Sequence, residues 1–381
     1  MSNALIITSV ASMVEQFLMP SICLLQDMGY DVEVACNFEK GSSCNLESIK
    51  LLKKELSEKN VKIHQIDFER NVFNIFQNLR AYKQLTAVVK SYHFDLIHCH
   101  SPIGGMLGRL SAVKSRKNGS KVFYTAHGFH FHKGAPLLNW LIYYPIEKFC
   151  SLFTDTIITI NHEDYSLAKR KMKAKHVEYV PGVGVDLTRF ENIEVDRAAK
   201  RREIGVPEDA FLLMSVGELN ENKNHQVIIK AMAKLGNKNV HYAIAGKGDK
   251  KDFLINLADS LGVGEQLHLL GYRRDIPQLN ASADAFCFPS LREGLGLGAI
   301  EGMACGLPLI SSNVHGINDY SEDGVTGYKC SPFDVDGFAD AIANLIENTE
   351  VKNAMSESNK QRVKCYSIDE ILPLMKALYE S

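Results

Sequence analysis

The sequence is poor in several of the features that would assign it to a broad class. Nine cysteines are scattered at 23, 36, 44, 99, 150, 287, 305, 330 and 365, an odd number with no C-x-x-C pair. That spacing indicates neither a zinc site nor a disulfide framework and fits a reducing compartment. No stretch reaches the ~18 apolar residues of a membrane span. The first residues, Met1-Ser-Asn-Ala-Leu-Ile-Ile-Thr-Ser-Val, lack a basic leader, and their apolar run is only strand-length, so a signal peptide is not expected. The cytoplasm is the expected location. RNP, zinc-finger and helix-turn-helix signatures are missing, which argues against nucleic acid as a partner.

What is present is an ordinary globular composition, 45% hydrophobic and 23% charged, in 381 residues. That length suggests two domains of about 150 to 200 residues. The net charge of −2 hides an asymmetry. Residues 1–185 carry 22 Lys and Arg against 16 Asp and Glu; residues 186–381 carry 21 against 29. The basic half includes Lys169-Arg-Lys-Met-Lys-Ala-Lys175 and an apolar, aromatic helical stretch, Leu137-Leu-Asn-Trp-Leu-Ile-Tyr-Tyr144. Such a face suits an anionic membrane surface. Solvated charge beside a core helix is the plainer alternative.

Apolar strands alternate with amphipathic helices. Strands are expected at 4–8, 31–36, 61–67, 95–99, 121–126, 155–160 and 176–180. Helices are expected near 14–27, 45–58, 74–91, 104–117, 137–153 and 162–172. A glycine-rich break at Val180-Pro-Gly-Val-Gly-Val-Asp186 ends this pattern, and it then restarts. The second set has strands at 210–216, 239–245, 266–270, 284–289 and 308–311. Its helices fall near 223–235, 250–261, 275–282, 298–305 and 336–348. The expected fold is α/β, with two Rossmann-like doubly wound parallel-sheet domains, a hinge around 181–190 and a cleft between them. Ligands bind such sheets beyond the carboxyl ends of the strands.

The most informative segment is Ser290-Leu-Arg-Glu-Gly-Leu-Gly-Leu-Gly-Ala-Ile-Glu301, between an apolar strand and a helix closed by Gly306 and Pro308. Glycines at 294, 296 and 298 would let backbone N–H groups at a helix N-terminus approach an anion, with phosphate the natural guest. Glu293 and Glu301 flank that turn. Eight helical residues rise ~12 Å, so the two cannot share one bond as an acid/base pair. They read as two grips on an elongated ligand. Lys223, near the start of a helix where the dipole disfavours it, makes sense beside an anion. Gly246-Lys-Gly248 has neither P-loop nor G-x-G-x-x-G spacing and could be a simple turn. Strand ends also carry His98-Cys-His100 and Ala126-His127-Gly128. His130 and His132 lack nearby carboxylates, which makes a metal site improbable.

These pieces together resemble the retaining glycosyltransferases of the GT-B fold, family 4, over nearly the whole chain. The matching residues are Ala126-His127-Gly128, Val180 to Asp186 with Phe190, and Val216-Gly217 with Lys223. They continue with Gly246-Lys-Gly248, Leu270-Gly-Tyr-Arg273 with Asp275, and Ala283-Asp through Pro289-Ser290. The segment from Glu293 to Glu301 then leads into Gly306-Leu-Pro308 and Gly324-Val-Thr-Gly327. Each is weak alone, and their order is specific.

The resemblance implies roles residue by residue. Glu301 would hold the ribose of a nucleotide-sugar, a UDP-sugar by the resemblance, and Glu293 the donor sugar. Leu295, Gly296 and Leu297 with Lys223 and Gly217 would hold the diphosphate, and the backbone at Tyr272 and Arg273 the base. His127 would contact the sugar near the reacting carbon, making His127 and Glu293 the catalytic candidates. Ser12, Gln16 and His100 are the acceptor-binding candidates. No metal or other cofactor is implied. The nearest likeness is to bacterial enzymes of capsule and exopolysaccharide synthesis. The transferred sugar would be a hexose or N-acetylhexosamine and the acceptor lipid-linked or saccharide, at the inner membrane face.

The chain departs from the family at two places. Glu218 stands where an arginine usually completes a two-cation diphosphate clamp, leaving Arg292 as the candidate replacement. Ser9-Val-Ala-Ser-Met-Val-Glu-Gln-Phe17 replaces a Gly-Gly turn in the loop that faces acceptor. The domains implied are 1–185 for acceptor, 186–360 for donor, and 361–381 as a helical segment packing back on the first. A UDP-sugar epimerase of the same architecture and a non-catalytic nucleotide-sugar-binding subunit remain as alternatives.

Overall fold

The computed structural model describes residues 2–40, 46–69, 71–191 and 193–381. Cys44 and the first residue of the helix expected at 45–58 lie outside them. Contacts divide the chain into one unit of 1–184 with 368–381 and a second of 185–367.

The first unit holds seven strands: β1 (Ser2–Val10), β2 (Tyr30–Asn37), β3 (Lys62–Gln65), β4 (Leu96–His100), β5 (Lys121–Ala126), β6 (Thr156–Thr159) and β7 (His176–Tyr179). Their order is β3-β2-β1-β4-β5-β6-β7, every pairing parallel. A parallel sheet covered by helices on both faces needs near-continuous apolar strands. Residues 4–10 of β1 are accordingly all buried. Leu5, Ile7, Ile97 and Val122 enter the core on one face, while Ala4, Ile6, Leu96 and Phe123 enter the other.

The segment 9–17 is no open loop. It runs into a short helix Ala11–Met13, a π-helical turn Val14–Leu18 and the helix Met19–Asp27. The expected single helix at 14–27 is therefore divided, and π-turns of this kind are frequent at functional sites.

The second unit contains β8 (Phe211–Val216), β9 (Val240–Ala245), β10 (Leu267–Gly271), β11 (Ala285–Phe288), β12 (Leu309–Ser312) and β13 (Gly327–Cys330), in the order β10-β9-β8-β11-β12-β13. All its ladders are parallel. Strand order reverses between β1 and β4 in one sheet and between β8 and β11 in the other. Loops diverge from such a switch point and leave a crevice beyond the strand ends.

The C-terminal boundary falls later than 360/361. Helix Thr349–Arg362 and the 3-10 turn Val363–Tyr366 belong to the second unit, where Val363 and Tyr366 are buried and Tyr366 meets the Tyr320 ring edge-on at 6.1 Å. The chain returns at Ile368, and the helix Ile368–Glu380 buries Ile371, Met375 and Tyr379 in the first unit's core.

Several motif glycines are spacing elements. A Cβ on Gly302 would lie 2.5 Å from Phe286 Cδ2, and one on Gly298 would lie 3.1 Å from the Val216 carbonyl oxygen. The helix Leu297–Ala304 thus rides directly on β8 and β11. Gly302→Ala is expected to destabilise the fold by about 1–3 kcal/mol despite alanine's better helix propensity, because the Phe286 ring is fully buried and cannot yield. Urea unfolding would read this as a lower midpoint.

Candidate functional site

The crevice at the second switch point is built from two loops, one after β8 and one after β11. They are sewn together by polar contacts. Leu291 N–H donates to the Asn222 carbonyl at 2.7 Å, and Asn222 Nδ2 donates to the Arg292 carbonyl at 2.9 Å. Asn224 Nδ2 donates to the carbonyls of Pro289 at 3.1 Å and Pro332 at 2.7 Å. Asn224 holds φ +53, a left-handed conformation that asparagine tolerates better than most side chains. Neither asparagine stood out in the sequence, although a polar residue on each side of Lys223 was a usable signal.

Lys223 lies in the loop before the helix Gln226–Leu235, not on the helix. Its backbone N–H donates to Asn220 Oδ1 at 3.0 Å. Its stem covers Gly217, where a Cβ would come 3.1 Å from Lys223 Cε. The ammonium sits 2.6 Å from Glu293 Oε1 and 4.8 Å from the centre of the Phe288 ring. Both side chains of this pair are mostly buried. Lys223 and Glu293, assigned to different parts of a ligand from sequence, are thus direct partners.

The turn after Glu293 is held from behind. Gly316 N–H donates to the Glu293 carbonyl at 3.1 Å, and Tyr320 Oη donates to the Leu295 carbonyl at 2.8 Å. Gly296 adopts φ +92 directly before the helix at Leu297, and a Cβ there would strike the Phe288 ring at 2.5 Å. The expectation that all these glycines serve an incoming anion needs correcting: packing already requires Gly296 and Gly298. The helix start at Leu297 nevertheless leaves first-turn N–H groups for an anion, as any helix does. The Leu295 side chain is buried, so only its backbone faces the turn.

Glu301 follows one turn along the same helix. Burial pushes its carboxyl up to about 7, partly opposed by the positive charge of Arg189. Arg189, in the 3-10 turn Leu187–Phe190, is a cation the sequence reading missed. Among the described residues no hydrogen bond to the Glu301 carboxylate is found.

Around this centre, Gly246-Lys-Gly248 is a strut and not a free turn. A Cβ on Gly246 would fall 1.8 Å from the Gly217 carbonyl oxygen, and Leu219 N–H donates to the Lys247 carbonyl at 3.0 Å. Glu218 is exposed and accepts from Asn220 Nδ2 at 2.8 Å. Arg292 is half-buried, and its guanidinium forms no ion pair among the described residues. Tyr272, beyond β10, is 64% exposed. The Arg273 side chain is committed elsewhere: it holds Asp275 at 2.6 and 2.7 Å and Glu203 at 2.5 Å, with Lys200 closing the cluster. Its side chain is therefore not free to reach a ligand without breaking these pairs.

The first unit carries the other candidates. His100 Nδ1 and His127 Nε2 are 3.1 Å apart. His100 is buried beneath His127, which corrects its expected place on an acceptor-facing surface: it touches another histidine. Ser12 is buried, Gln16 is exposed on the π-turn, and the Phe17 ring lies 6.4 Å from that of His127. Ser9 and Ser101 tie β1 to β4, with Oγ atoms 2.5 Å apart. No cluster of three or more His, Cys, Asp or Glu placed to hold a metal occurs among the described residues. No helix among them is long and apolar enough to cross a membrane.

Two parallel sheets, each with a switch-point crevice, define the GT-B architecture of glycosyltransferases. The solved structure of HepE from Anabaena, in complex with UDP and glucose, superposes with a TM-score of 0.80 over 100% of both chains at 18% identity, a likeness of fold. WaaG, a glycosyltransferase of lipopolysaccharide biosynthesis, gives 0.75 over 99% of each chain at 17% identity. The chain belongs to the group 1, type 4-like glycosyltransferases. Residues 196–362 match the family model for glycosyl transferases group 1, and residues 7–161 match that for glycosyl transferase 4-like proteins. It is 37% identical over 309 residues to EpsD of Bacillus subtilis (strain 168), whose name assigns it to the glycosyltransferases without a substrate. That alignment covers 80% of this chain and 81% of EpsD. It is 28% identical over 319 residues, 81% of each chain, to an Escherichia coli UDP-Gal:α-D-GlcNAc-diphosphoundecaprenol α-1,3-galactosyltransferase.

Glu301 makes stability depend on pH. Its folded pKa is raised above the ordinary value of 4.5, so its contribution is fully present below that value and is lost as pH rises through about 7. Glu301→Gln is expected to be more stable than the natural protein above pH 7, by on the order of 1–3 kcal/mol, and equal to it near pH 4. Denaturant midpoints across pH 4–8 would read the difference.

Proposed function

We propose that the protein transfers a hexose or N-acetylhexosamine from a nucleoside diphosphate sugar, a UDP-sugar, to a lipid-linked or saccharide acceptor, with retention at the anomeric carbon and without a metal. The observation that carries the donor site is Lys223 paired with Glu293 at 2.6 Å beside the start of the helix Leu297–Ala304. A cation, a helix N-terminus and a carboxylate in one crevice match the three chemical parts of such a donor. The diphosphate takes Lys223 and the amides near Leu297, the sugar hydroxyls take Glu293, and the ribose takes Glu301. Arg292 supplies the second cation. Gly217 lets the lysine stem lie flat, and the backbone at Tyr272 and Arg273 takes the base. His127 is the residue that the family resemblance assigns to the donor sugar.

The chemistry follows from these roles. The anomeric carbon–oxygen bond to the diphosphate breaks as the acceptor oxygen bonds to the same face, and the departing phosphate oxygen takes the acceptor's proton. Negative charge grows on the leaving group, so Lys223 and the helix dipole act where charge develops. Glu293 has no second carboxylate partner for a double displacement in this reading.

The donor and acceptor classes draw support from relatives. The Escherichia coli relative is named for UDP-Gal and a diphosphoundecaprenol acceptor. A lipid acceptor also suits exposed apolar side chains at the helix starts that follow β3 and β5, among them Phe76 at 88% and Leu137 at 74% exposure. The basic run Lys169 to Lys175 is exposed at its charged positions as well.

Lys223→Ala is expected to lower acceptor-dependent UDP release about 10²- to 10³-fold while the protein stays folded. Unimpaired release would overturn the donor-site assignment, and conversion of the UDP-sugar without any acceptor would mark an epimerase instead. For the membrane side, neutralising Lys169, Arg170, Lys171, Lys173 and Lys175 together is expected to abolish sedimentation with phosphatidylglycerol vesicles. Unchanged sedimentation would remove that run from the membrane contact.

A further inference from the structure

Three histidines converge at the ends of β4 and β5. Alternation along β4 puts His98 and His100 on one face, with ring centres 4.1 Å apart, and His127 follows β5 immediately. Both nitrogens of His98 are engaged: Nδ1 lies 2.9 Å from Tyr379 Oη on the C-terminal helix, and Nε2 lies 2.8 Å from Thr125 Oγ1. Among the described residues His100 has one hydrogen-bond partner. Its Nδ1 meets His127 Nε2, while its Nε2 is fully buried without a hydrogen-bond partner.

All three rings are neutral at working pH. Burial lowers His98 to about 3 and His127 to about 4, and it holds His100 well below its ordinary value. A neutral imidazole has one N–H and one bare nitrogen. Two arrangements of the His100–His127 bond are therefore possible. If His127 Nε2–H donated, the single proton of His100 would sit on its Nε2 and become a buried N–H with no acceptor. If His100 Nδ1–H donates, the orphaned atom is only a bare lone pair. Orphaned buried N–H groups are the rarer condition.

We infer that His100 donates from Nδ1 to His127 Nε2 and thereby fixes the proton of His127 on Nδ1. His100 is then a positioning residue and not an acceptor-binding one. Resting on the reading that His127 meets the donor sugar, this makes His127 a fixed hydrogen-bond donor to a sugar or leaving-group oxygen. Its Nε2 lone pair is already occupied, so His127 does not serve as the base that takes the acceptor proton. The Tyr379–His98–Thr125 contacts stand behind the pair and hold the His98 ring against His100, tilted by 39°. The C-terminal helix thus contributes to the geometry of a residue far from it in sequence.

The test is long-range proton–nitrogen correlation NMR on the full chain labelled with 15N-histidine at pH 7.5, with His127 assigned through His127→Ala and His100 through His100→Asn. His127 is expected to show a protonated Nδ1 and a bare Nε2; a protonated Nε2 overturns the inference. His100→Asn, whose amide can donate from nearly the same place, is expected to keep that tautomer and most of kcat. His100→Leu is expected to let His127 populate the Nε2–H form and to lose about tenfold in kcat with the donor KM unchanged. An unchanged His127 tautomer in His100→Leu would also overturn the inference, and if that variant fails to fold, the spectrum of the natural protein decides alone. Full transfer by His127→Ala would remove the sugar contact while leaving the tautomer result standing, so the two readings fail separately.

Discussion

The ion pair between Lys223 and Glu293 is the contact around which the second unit's crevice is organised. It joins the loop after β8 to the loop after β11, the two strands between which sheet order reverses. Mostly buried, the pair is screened less than a surface bridge, and removing one partner would leave a charge in a poor environment. The asparagines at 222 and 224 hold the loops at the spacing the pair needs. The glycines beneath do the same for the backbone: Gly246 lets one loop lie on Gly217, and Gly298 and Gly302 let the helix lie on the strands. On the proposed function, an arriving diphosphate competes with Glu293 for Lys223. The carboxylate is then released toward the sugar.

Much of this was legible in the chain because parallel α/β units write themselves in period. Twelve of the thirteen strands fell within a few residues of their expected bounds. The exception, β13 at Gly327–Cys330, is a four-residue strand with Lys329 in it, too short and too polar for a pattern to register. The expected helix at 14–27 was half right, since no periodicity rule marks a π-turn. The domain boundary at 360/361 fell early because Val363 and Tyr366 look like any amphipathic positions until the core they enter is known.

Site residues were legible by type and less so by partner. Glu293, Glu301 and Lys223 drew attention as charges in a glycine-rich context, which is a local signal. That Lys223 and Glu293 touch is not local, since 70 positions separate them. Arg189 was missed because it precedes Phe190 in a stretch read for its glycines, and its influence on Glu301 is purely spatial. His100 was visible at a strand end, but its burial and its contact with His127 were not. The Arg273 side chain is spent on Asp275 and Glu203, partners that a reading of the local motif did not name.

The candidate residues of the two units differ in charge state. Those of the second are a mostly buried lysine–carboxylate pair and a glutamate whose carboxyl is pushed up to about 7. Those of the first are histidine rings that burial keeps uncharged. The central claim is that the β8–β11 crevice is the nucleoside diphosphate site, and the most direct measurement is hydrogen–deuterium exchange with and without UDP. Protection is expected to concentrate in peptides spanning 216–225 and 290–302. Binding of UDP with no change in those peptides would contradict it.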